Sequence, residues 1–176
     1  QQKVLKSEVE EQLEEYTTDM GGNWPLKDAK MVVPAMRLFK EAMAGGTSGM
    51  AISVRDTTMI LDSFKASKLS IKLEFVQKNG VTPLHQLMSK LLEDRDKSFD
   101  YIPVIRKTMK LLESLPISKK ELIATHNAGG QSLATALLEL KGHPDRGVKG
   151  MANDLIRKYE LEEGGERQAG PGGRTF

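Results

Sequence analysis

The sequence contains no cysteine, few aromatic residues and no long apolar run. The absence of cysteine excludes a disulfide framework, a thiolate nucleophile and a zinc site built on sulfur, and it fits a reducing compartment. Aromatic residues make up 5% of the chain, and no apolar run approaches the roughly 20 residues that span a bilayer. We therefore expect no membrane partner and a core built mainly from Leu, Met and Ala, as helix packing favours.

Charged residues are common but nearly balanced in sign. They make up 28% of the chain, and the formal net charge is +2, so overall electrostatics do not indicate a nucleic-acid-binding protein. Residues 1–15 are acidic rather than typical of a signal peptide. The sequence begins with Gln1 rather than Met, and we expect it to be part of a longer protein.

Apolar residues recur at helical spacing along most of the chain, which divides into three parts. Residues 1–25 predict an acidic helix and a linker, and Val9 and Leu13 belong to one narrow apolar stripe of a helix at the outside of the domain. Residues 26–160 predict one helical domain. Residues 161–176 are rich in glycine and poor in apolar side chains, which predicts a disordered tail.

Glycine, proline and capping residues mark the ends of the predicted helices, and no segment has the alternating pattern of a strand. The predicted helix starts are Ser70, Thr82 with Pro83 in the first turn, Pro103, and Ser118 in a capping box with Glu121. The predicted interruptions are Gly21-Gly22-Asn23-Trp24-Pro25, Gly45-Gly46-Thr47-Ser48-Gly49, Asn79-Gly80 and Pro116.

Short helices joined by turns, each with one apolar face, predict an all-α fold. We expect a compact right-handed helical stack or bundle of the armadillo/HEAT type. Thr82-Pro83-Leu84-His85 matches an ankyrin signature, which would return after about 33 residues in an ankyrin array. The chain instead reads Leu115-Pro116-Ile117-Ser118 at that distance, so an ankyrin array is not predicted.

No catalytic or metal-binding constellation is apparent. His85, His126 and His143 stand in unrelated contexts, without a second ligand at helical spacing. We interpret His85 as a first-turn polar residue and His126 as an end-of-helix residue. Gly129-Gly130 lacks the preceding strand and the lysine of a phosphate-binding loop. We therefore expect a protein that is not an enzyme and that needs no cofactor or metal.

A local basic cluster on and before the last predicted helix keeps nucleic-acid binding open as an alternative. The cluster consists of Arg146, Lys149, Arg157 and Lys158. Aromatic residues that would stack on bases are not interleaved with it, so direct nucleic-acid binding is the weaker hypothesis. A second alternative is a structural scaffold fragment of the armadillo/HEAT type.

Residues 102–159 contain an ordered set of short motifs. They are Leu115-Pro116-Ile117-Ser118, then Leu122, Thr125 and Gly130, and finally Ala152-Asn153-Asp154-Leu155-Ile156-Arg157-Lys158-Tyr159. This order resembles the N-terminal domain of transcription elongation factor TFIIS, also called the LW domain, which usually has tryptophan in the place of Tyr159. Upstream, Phe75-Val76-Gln77-Lys78-Asn79-Gly80 followed by an apolar helix resembles the extended version of that domain. The extended version occurs in PNUTS and in Iws/Spn-type elongation factors.

The resemblance implies a function. Members of this family are not enzymes, and they bind short acidic and aromatic segments of disordered partners in the transcription elongation machinery. A small helical stack suits this role because its grooves and loops accept an aromatic side chain of a peptide. We therefore expect a nuclear, monomeric interaction module of an elongation or termination regulator. The implied partners are disordered segments of elongation-factor or phosphatase-complex proteins associated with RNA polymerase II.

The resemblance also implies two peptide-binding loops, by comparison with the related integrase-binding domain of a chromatin-tethering factor. The implied peptide-binding residues are Phe99 and Asp100 before one helix, and His143, Pro144, Val148 and Lys149 at the last helix. In the alternative interpretation, Phe99 is a core staple and Asp100 is an ordinary helix cap. His143 and Pro144 would then only shape a loop.

Overall fold

A computed structural model of the protein describes residues 5–44, 52–93 and 99–161, and these ranges consist of helices joined by loops and turns. The α-helices are α1 (Glu8–Tyr16), α2 (Val32–Met43), α3 (Val54–Ala66), α4 (Leu69–Gln77), α5 (Val81–Glu93), α6 (Ile102–Ser114), α7 (Lys119–Ala124), α8 (Leu133–Glu139) and α9 (Arg146–Lys158). Short 3-10 helices cover Ala29–Met31 and Leu140–Gly142. Within the described ranges there is no strand, only isolated bridges. The predicted all-α fold is confirmed.

Helix α6 occupies the centre of the bundle. It packs against α3 on one side and α9 on another, and α5 also contacts it. Its inward residues are 1% exposed or less: Val104, Ile105, Thr108, Met109, Leu111 and Leu112. Because each buried aliphatic side chain contributes about 1.5–3 kcal/mol, this one helix accounts for a large part of the core.

Helices α6 and α9 run in the same direction. Near their starts, Arg106 of α6 forms an ion pair with Asp145, the residue that caps α9. Near their ends, the Lys158 ammonium donates to the carbonyl oxygen of Glu113 over 2.6 Å. The two contacts occur in the same order along both helices, so the N-terminal ends of α6 and α9 lie together.

Helix α1 is part of the bundle. Val9 and Leu13, each 5% exposed, belong to the same hydrophobic cluster as the rest of the core, and α1 packs on α2 and α3. The chain then returns through a tight hairpin in which Thr17 pairs with Leu26. Leu26 is buried, and its amide donates to the Ser67 hydroxyl at the end of α3 over 3.0 Å. The core therefore continues across residue 25, where the sequence indicated a linker.

Most predicted helix ends occur where capping chemistry placed them. The capping box at Ser118 is present, with its amide donating to the carboxylate of Glu121 over 2.9 Å. Pro103 lies in the first turn of α6, and Pro116 separates α6 from α7. The breaker at residues 45–49 and the tail from residue 162 lie outside the described residues.

Two predicted caps are wrong. The N-cap of α4 is Lys68, and Ser70 already lies inside the helix. Helix α5 begins at Val81, so Thr82 is also a helical residue. For α5 the reason is the tightness of the turn after α4, which leaves no extended residue that would hold a side-chain cap. For α4, the extended residue that precedes the helix is Lys68, whose side chain makes no capping hydrogen bond.

That turn is a Schellman motif. Asn79 adopts a left-handed conformation with φ of 63°, and its amide donates to Val76 while the Gly80 amide donates to Phe75. Gly80 itself does not have a positive φ. It is required because a Cβ atom there would overlap the ring of Phe75, which is fully buried against Phe64.

We expect Gly80→Ala to lower the free energy of unfolding by about 1–3 kcal/mol, because the Phe75 ring has no room to move. Gly150→Ala is the matched control, since Gly150 lies in α9 with nothing within 4 Å of an added Cβ. That change should stabilise the protein by about 0.5–1 kcal/mol through helix propensity. Urea denaturation of both variants measures the difference, and a shift in the same direction would contradict it.

His85, interpreted from the sequence as a first-turn polar residue, is enclosed in the core. Its side chain is fully buried, and among the described residues neither ring nitrogen has a hydrogen-bond partner. Burial lowers the pKa of His85 below its ordinary value of 6.5, the nearby His126 lowers it further, and the backbone of Thr125 acts in the opposite direction. Folding therefore favours the neutral form of His85 over the charged form.

This predicts acid sensitivity of the fold. Above pH 6.5, His85 is neutral in the folded and the unfolded protein, and the full free energy of unfolding is present. Below pH 6.5, His85 takes up a proton in the unfolded protein before it does so in the folded one. The free energy of unfolding therefore falls until the pH reaches the lowered pKa of folded His85. We expect His85→Gln to have a shallower loss of unfolding free energy below pH 6.5. His126→Gln should keep most of the loss, because His126 is exposed and only a secondary cause. Equal slopes in wild type and His85→Gln would show that His85 is not responsible.

Candidate functional site

The two loops implicated by the sequence lie at the same end of the bundle. Asp100 lies two residues before the start of α6, and Arg106 lies in the second turn of that helix. Arg106 in turn holds Asp145 at the start of α9. The loop before α6 and the loop before α9 are therefore neighbours, as the proposed peptide-binding surface requires.

The first loop presents two residues without a structural role. The side chain of Phe99 is 70% exposed, so the interpretation of Phe99 as a core staple is wrong. Tyr101 occupies the N-cap position of α6 and makes no side-chain capping bond, so Asp100 is not the cap either. Asp100 is exposed and, among the described residues, has no hydrogen bond or ion pair. Its carboxylate is therefore free to accept hydrogen bonds.

The second loop is fixed by Asp145. One carboxylate oxygen accepts the amide of Val148 over 2.9 Å and caps α9, and both oxygens receive hydrogen bonds from the Arg106 guanidinium. The pKa of Asp145 is lowered from its ordinary value of 3.8, mainly by the hydrogen bond from the Val148 amide and next by the hydrogen bond from Arg106. Gly147 leaves room for Arg106, because a Cβ atom there would overlap the guanidinium.

Sequence reasoning did not identify Arg106, Asp145 or Gly147 as a unit. A signal for Asp145 was present, since an aspartate before the first apolar residue of a helix is a typical N-cap. Nothing in the sequence links that aspartate to Arg106, which lies 39 residues earlier.

His143 holds the second loop in shape. Its Nδ1 accepts the amide of Asp145 over 3.0 Å, so the ring proton lies on Nε2. That Nε2 is buried and has no partner among the described residues. Pro144, the next residue, is exposed. His143 therefore supports the shape of the loop from within, and its buried Nε2 is not presented to a ligand.

Val148 does not belong to an accessible surface. It is 0% exposed and forms part of the hydrophobic core, so it supports the loop from below and does not flank a ligand. The expectation of a direct contact by Val148 is corrected accordingly. Lys149, one residue later, is exposed and, within the described part of the chain, has no ion pair.

The basic cluster of the last helix separates into two groups. Arg146 and Lys149 lie at the beginning of α9, and within the described ranges neither has an anionic partner. Arg157 and Lys158 lie roughly 12 Å further along the helix. There, Arg157 pairs with Asp154, and Lys158 donates to Glu113. The two groups do not form one phosphate-binding surface.

The structure also contains a groove that sequence reasoning missed. It lies between α1, the hairpin around Trp24 and the second half of α3, and its volume is about 840 Å³. The Gly21-Gly22 signal predicted only a turn there. The groove arises because the hairpin folds back onto α3, a long-range contact that no local pattern encodes.

Searches for other sites and for relatives gave no further assignment. Among the described residues, no three His, Asp or Glu side chains are placed to hold a metal ion. None of the described helices is both long enough and apolar enough to cross a membrane. The chain has no significant match to a protein-family model, a curated protein or a solved structure. The similarity to the TFIIS N-terminal domain therefore depends on the motif residues alone.

The cap at Asp145 can be tested by two substitutions. Asp145→Asn keeps an N-cap residue but loses the charge that faces Arg106, and it should lower the thermal midpoint. Asp145→Ala loses both the cap and the charge, and it should lower the thermal midpoint further. The stabilising charge is present above pH 3.8 and is lost as pH falls through the lowered pKa of Asp145, so wild type and Asp145→Asn should converge in acid.

Asp154→Asn is the control for these variants, because it removes an exposed ion pair within the same helix. Its thermal midpoint should stay close to wild type at neutral pH. If Asp154→Asn and Asp145→Ala are equally destabilised, the loop is not organised by Asp145.

Proposed function

We propose that the protein is a non-catalytic interaction module that binds short acidic-aromatic segments of disordered partners. The binding surface consists of the loops at the adjacent N-terminal ends of α6 and α9. The observation that carries this proposal is the pairing of a 70% exposed aromatic side chain, Phe99, with the uncommitted carboxylate of Asp100. Side chains with no role in folding and a position beside each other are typical of a binding surface.

The surroundings suit a ligand with acidic residues. Arg146 and Lys149 lie exposed at the start of α9, and α6 begins without a side-chain cap. The N-terminal end of a helix carries a partial positive charge, which favours nearby anions. A peptide would donate backbone hydrogen bonds to Asp100, pack an aromatic ring on Phe99, and direct its own carboxylates toward the two cations.

The wider part of the proposal follows from the resemblance. We propose that the chain belongs to a nuclear regulator of transcription elongation or termination, of the TFIIS N-terminal, PNUTS-like or Iws-like type. The buried positions of Ala152 and Leu155 on α9, and of Tyr159 at its C-cap, are compatible with that family's last helix. The partners would be disordered segments of elongation or phosphatase-complex proteins that act with RNA polymerase II.

The decisive variant is Asp100→Ala. It should weaken binding of an acidic-aromatic peptide by roughly 1.5–3 kcal/mol, the range for hydrogen bonds to charged groups. Because Asp100 does not cap α6, the free energy of unfolding should stay within about 0.5 kcal/mol of wild type. A fluorescently labelled peptide titrated against both proteins measures the affinity, and circular dichroism checks the fold.

Lys149→Glu separates steering from direct contact. A rim charge affects association more than dissociation, so this variant should slow association and reduce its dependence on salt. Stopped-flow measurements at two ionic strengths give both rates.

Unchanged affinity in folded Asp100→Ala would remove the first loop from the binding surface and with it this proposal.

A further inference from the structure

The groove beside Trp24 has an apolar wall that the fold leaves open to solvent. Trp24 is 41% exposed and Met20 is 62% exposed, both in the hairpin between α1 and α2. Met59 of α3 adds a partly buried side chain to the same groove. Large exposed apolar side chains gathered in one concave place mark sites of interaction more often than scattered ones do.

The hairpin that carries Trp24 is firmly attached. The backbone of Thr18 donates to Pro25, and Lys27 donates to Tyr16, over 3.0 and 2.9 Å. The Ser67 hydroxyl accepts the amide of Leu26 and donates to the carbonyl oxygen of Ser63 within α3. The groove is therefore preformed, which reduces the conformational entropy that a ligand must overcome.

Within the described residues, the carboxylates around the groove form ion pairs, whereas three of its lysines do not. Every described carboxylate that lines it has a cationic partner: Glu10 with Arg55 at 2.9 Å, Glu14 with Lys6 at 2.7 Å, and Asp62 with Lys107 at 2.8 Å. Three lysines that line it have none, since no described carboxylate lies within 4.0 Å of Lys27, Lys65 or Lys68. The groove thus has unpaired positive charge next to an apolar wall.

Lys65 also repels a lysine of the neighbouring helix α4. Burial, followed by the repulsion of Lys65, lowers the pKa of Lys72 on α4 below its ordinary value of 10.5. An anionic ligand would relieve that repulsion.

We propose that this groove is a second docking site, and that its ligand is an acidic peptide segment with one bulky apolar side chain. The apolar side chain would contact Trp24 and Met20, and the acidic residues would pair with Lys27, Lys65 and Lys68. The site is separate from the loops at α6 and α9, and it does not depend on the function proposed for them.

A peptide fits the groove better than a nucleic acid. The wall includes three carboxylates, which would face a continuous phosphate backbone at some point along its path. A peptide can place acidic residues beside the lysines and neutral ones beside Glu10 and Glu14. Single-stranded nucleic acid also needs successive aromatic side chains for stacking, and Trp24 is the chain's single tryptophan.

The single tryptophan also makes the site directly observable. The probe is a synthetic acetylated peptide in which glutamates flank one phenylalanine, with no tyrosine or tryptophan, so the emission reports on Trp24 alone. Titration of the whole chain should give a saturable change in Trp24 emission that weakens with added salt. Peptides with alanine for phenylalanine, or with lysines for the glutamates, should produce little or no change.

Charge reversal locates the site. The double variant Lys65→Glu, Lys68→Glu should bind the probe roughly tenfold more weakly, because attraction becomes repulsion. Lys40→Glu is the matched control, because Lys40 is exposed near the end of α2. Ala42 of the same helix accepts a hydrogen bond from Ser53 at the start of α3, whereas the groove lies beside the second half of α3. It should leave affinity unchanged, with circular dichroism confirming that each variant is folded.

The outcomes separate this proposal from the preceding one. Asp100→Ala should keep the full Trp24 response, even where it weakens binding at the loops. The docking site is refuted by a flat titration, by an equal effect of Lys40→Glu, or by an oligonucleotide that binds Trp24 more tightly than the peptide does. A response lost equally in Asp100→Ala would place the peptide at the loops and also refute a separate site.

Discussion

The burial of α6 between α3 and α9 is the constraint on which the remaining structure depends. Its inward face has no exposed apolar residue, and its outward residues include Arg106 and Lys107, which form ion pairs with α9's cap and with α3. Because α9 runs in the same direction as α6, the starts of both helices meet. The surface proposed for peptide binding is a direct result of this parallel packing, since an antiparallel pair would place the two loops at opposite ends.

Local sequence patterns predicted the helices because each helix carries its own periodicity and punctuation. The capping box at Ser118 and the stop at Asn79-Gly80 needed only neighbouring residues, and both are present. Apart from the misplaced caps at Ser70 and Thr82, the errors concern what covers a helix. His85 shares a helix with Leu84, Leu87 and Met88, and only the packing of α6 and α8 on α5 determines that its side chain is also enclosed.

The candidate site was partly predictable for the same reason. The resemblance placed Phe99 and Asp100 in one loop, but whether they were core, cap or surface depended on Tyr101 and on the packing of α6. Val148 shows the opposite case, because its position beside the loop is correct while its side chain points into the core. The Trp24 groove had no local signal, since it forms between segments about 40 residues apart, as the bond between Leu26 and Ser67 illustrates.

Arg106 and Lys107 are consecutive residues of α6, yet they serve different surfaces. Arg106 holds the loop before α9, whereas Lys107 lines the groove beside Trp24. The two surfaces thus adjoin the same helix of a single packed body. If both are docking sites, a partner chain with two acidic segments joined by a short linker would bind the second at an effective concentration in the millimolar range. Two individually weak contacts would then combine into strong avidity, and a partner with one segment would dissociate readily.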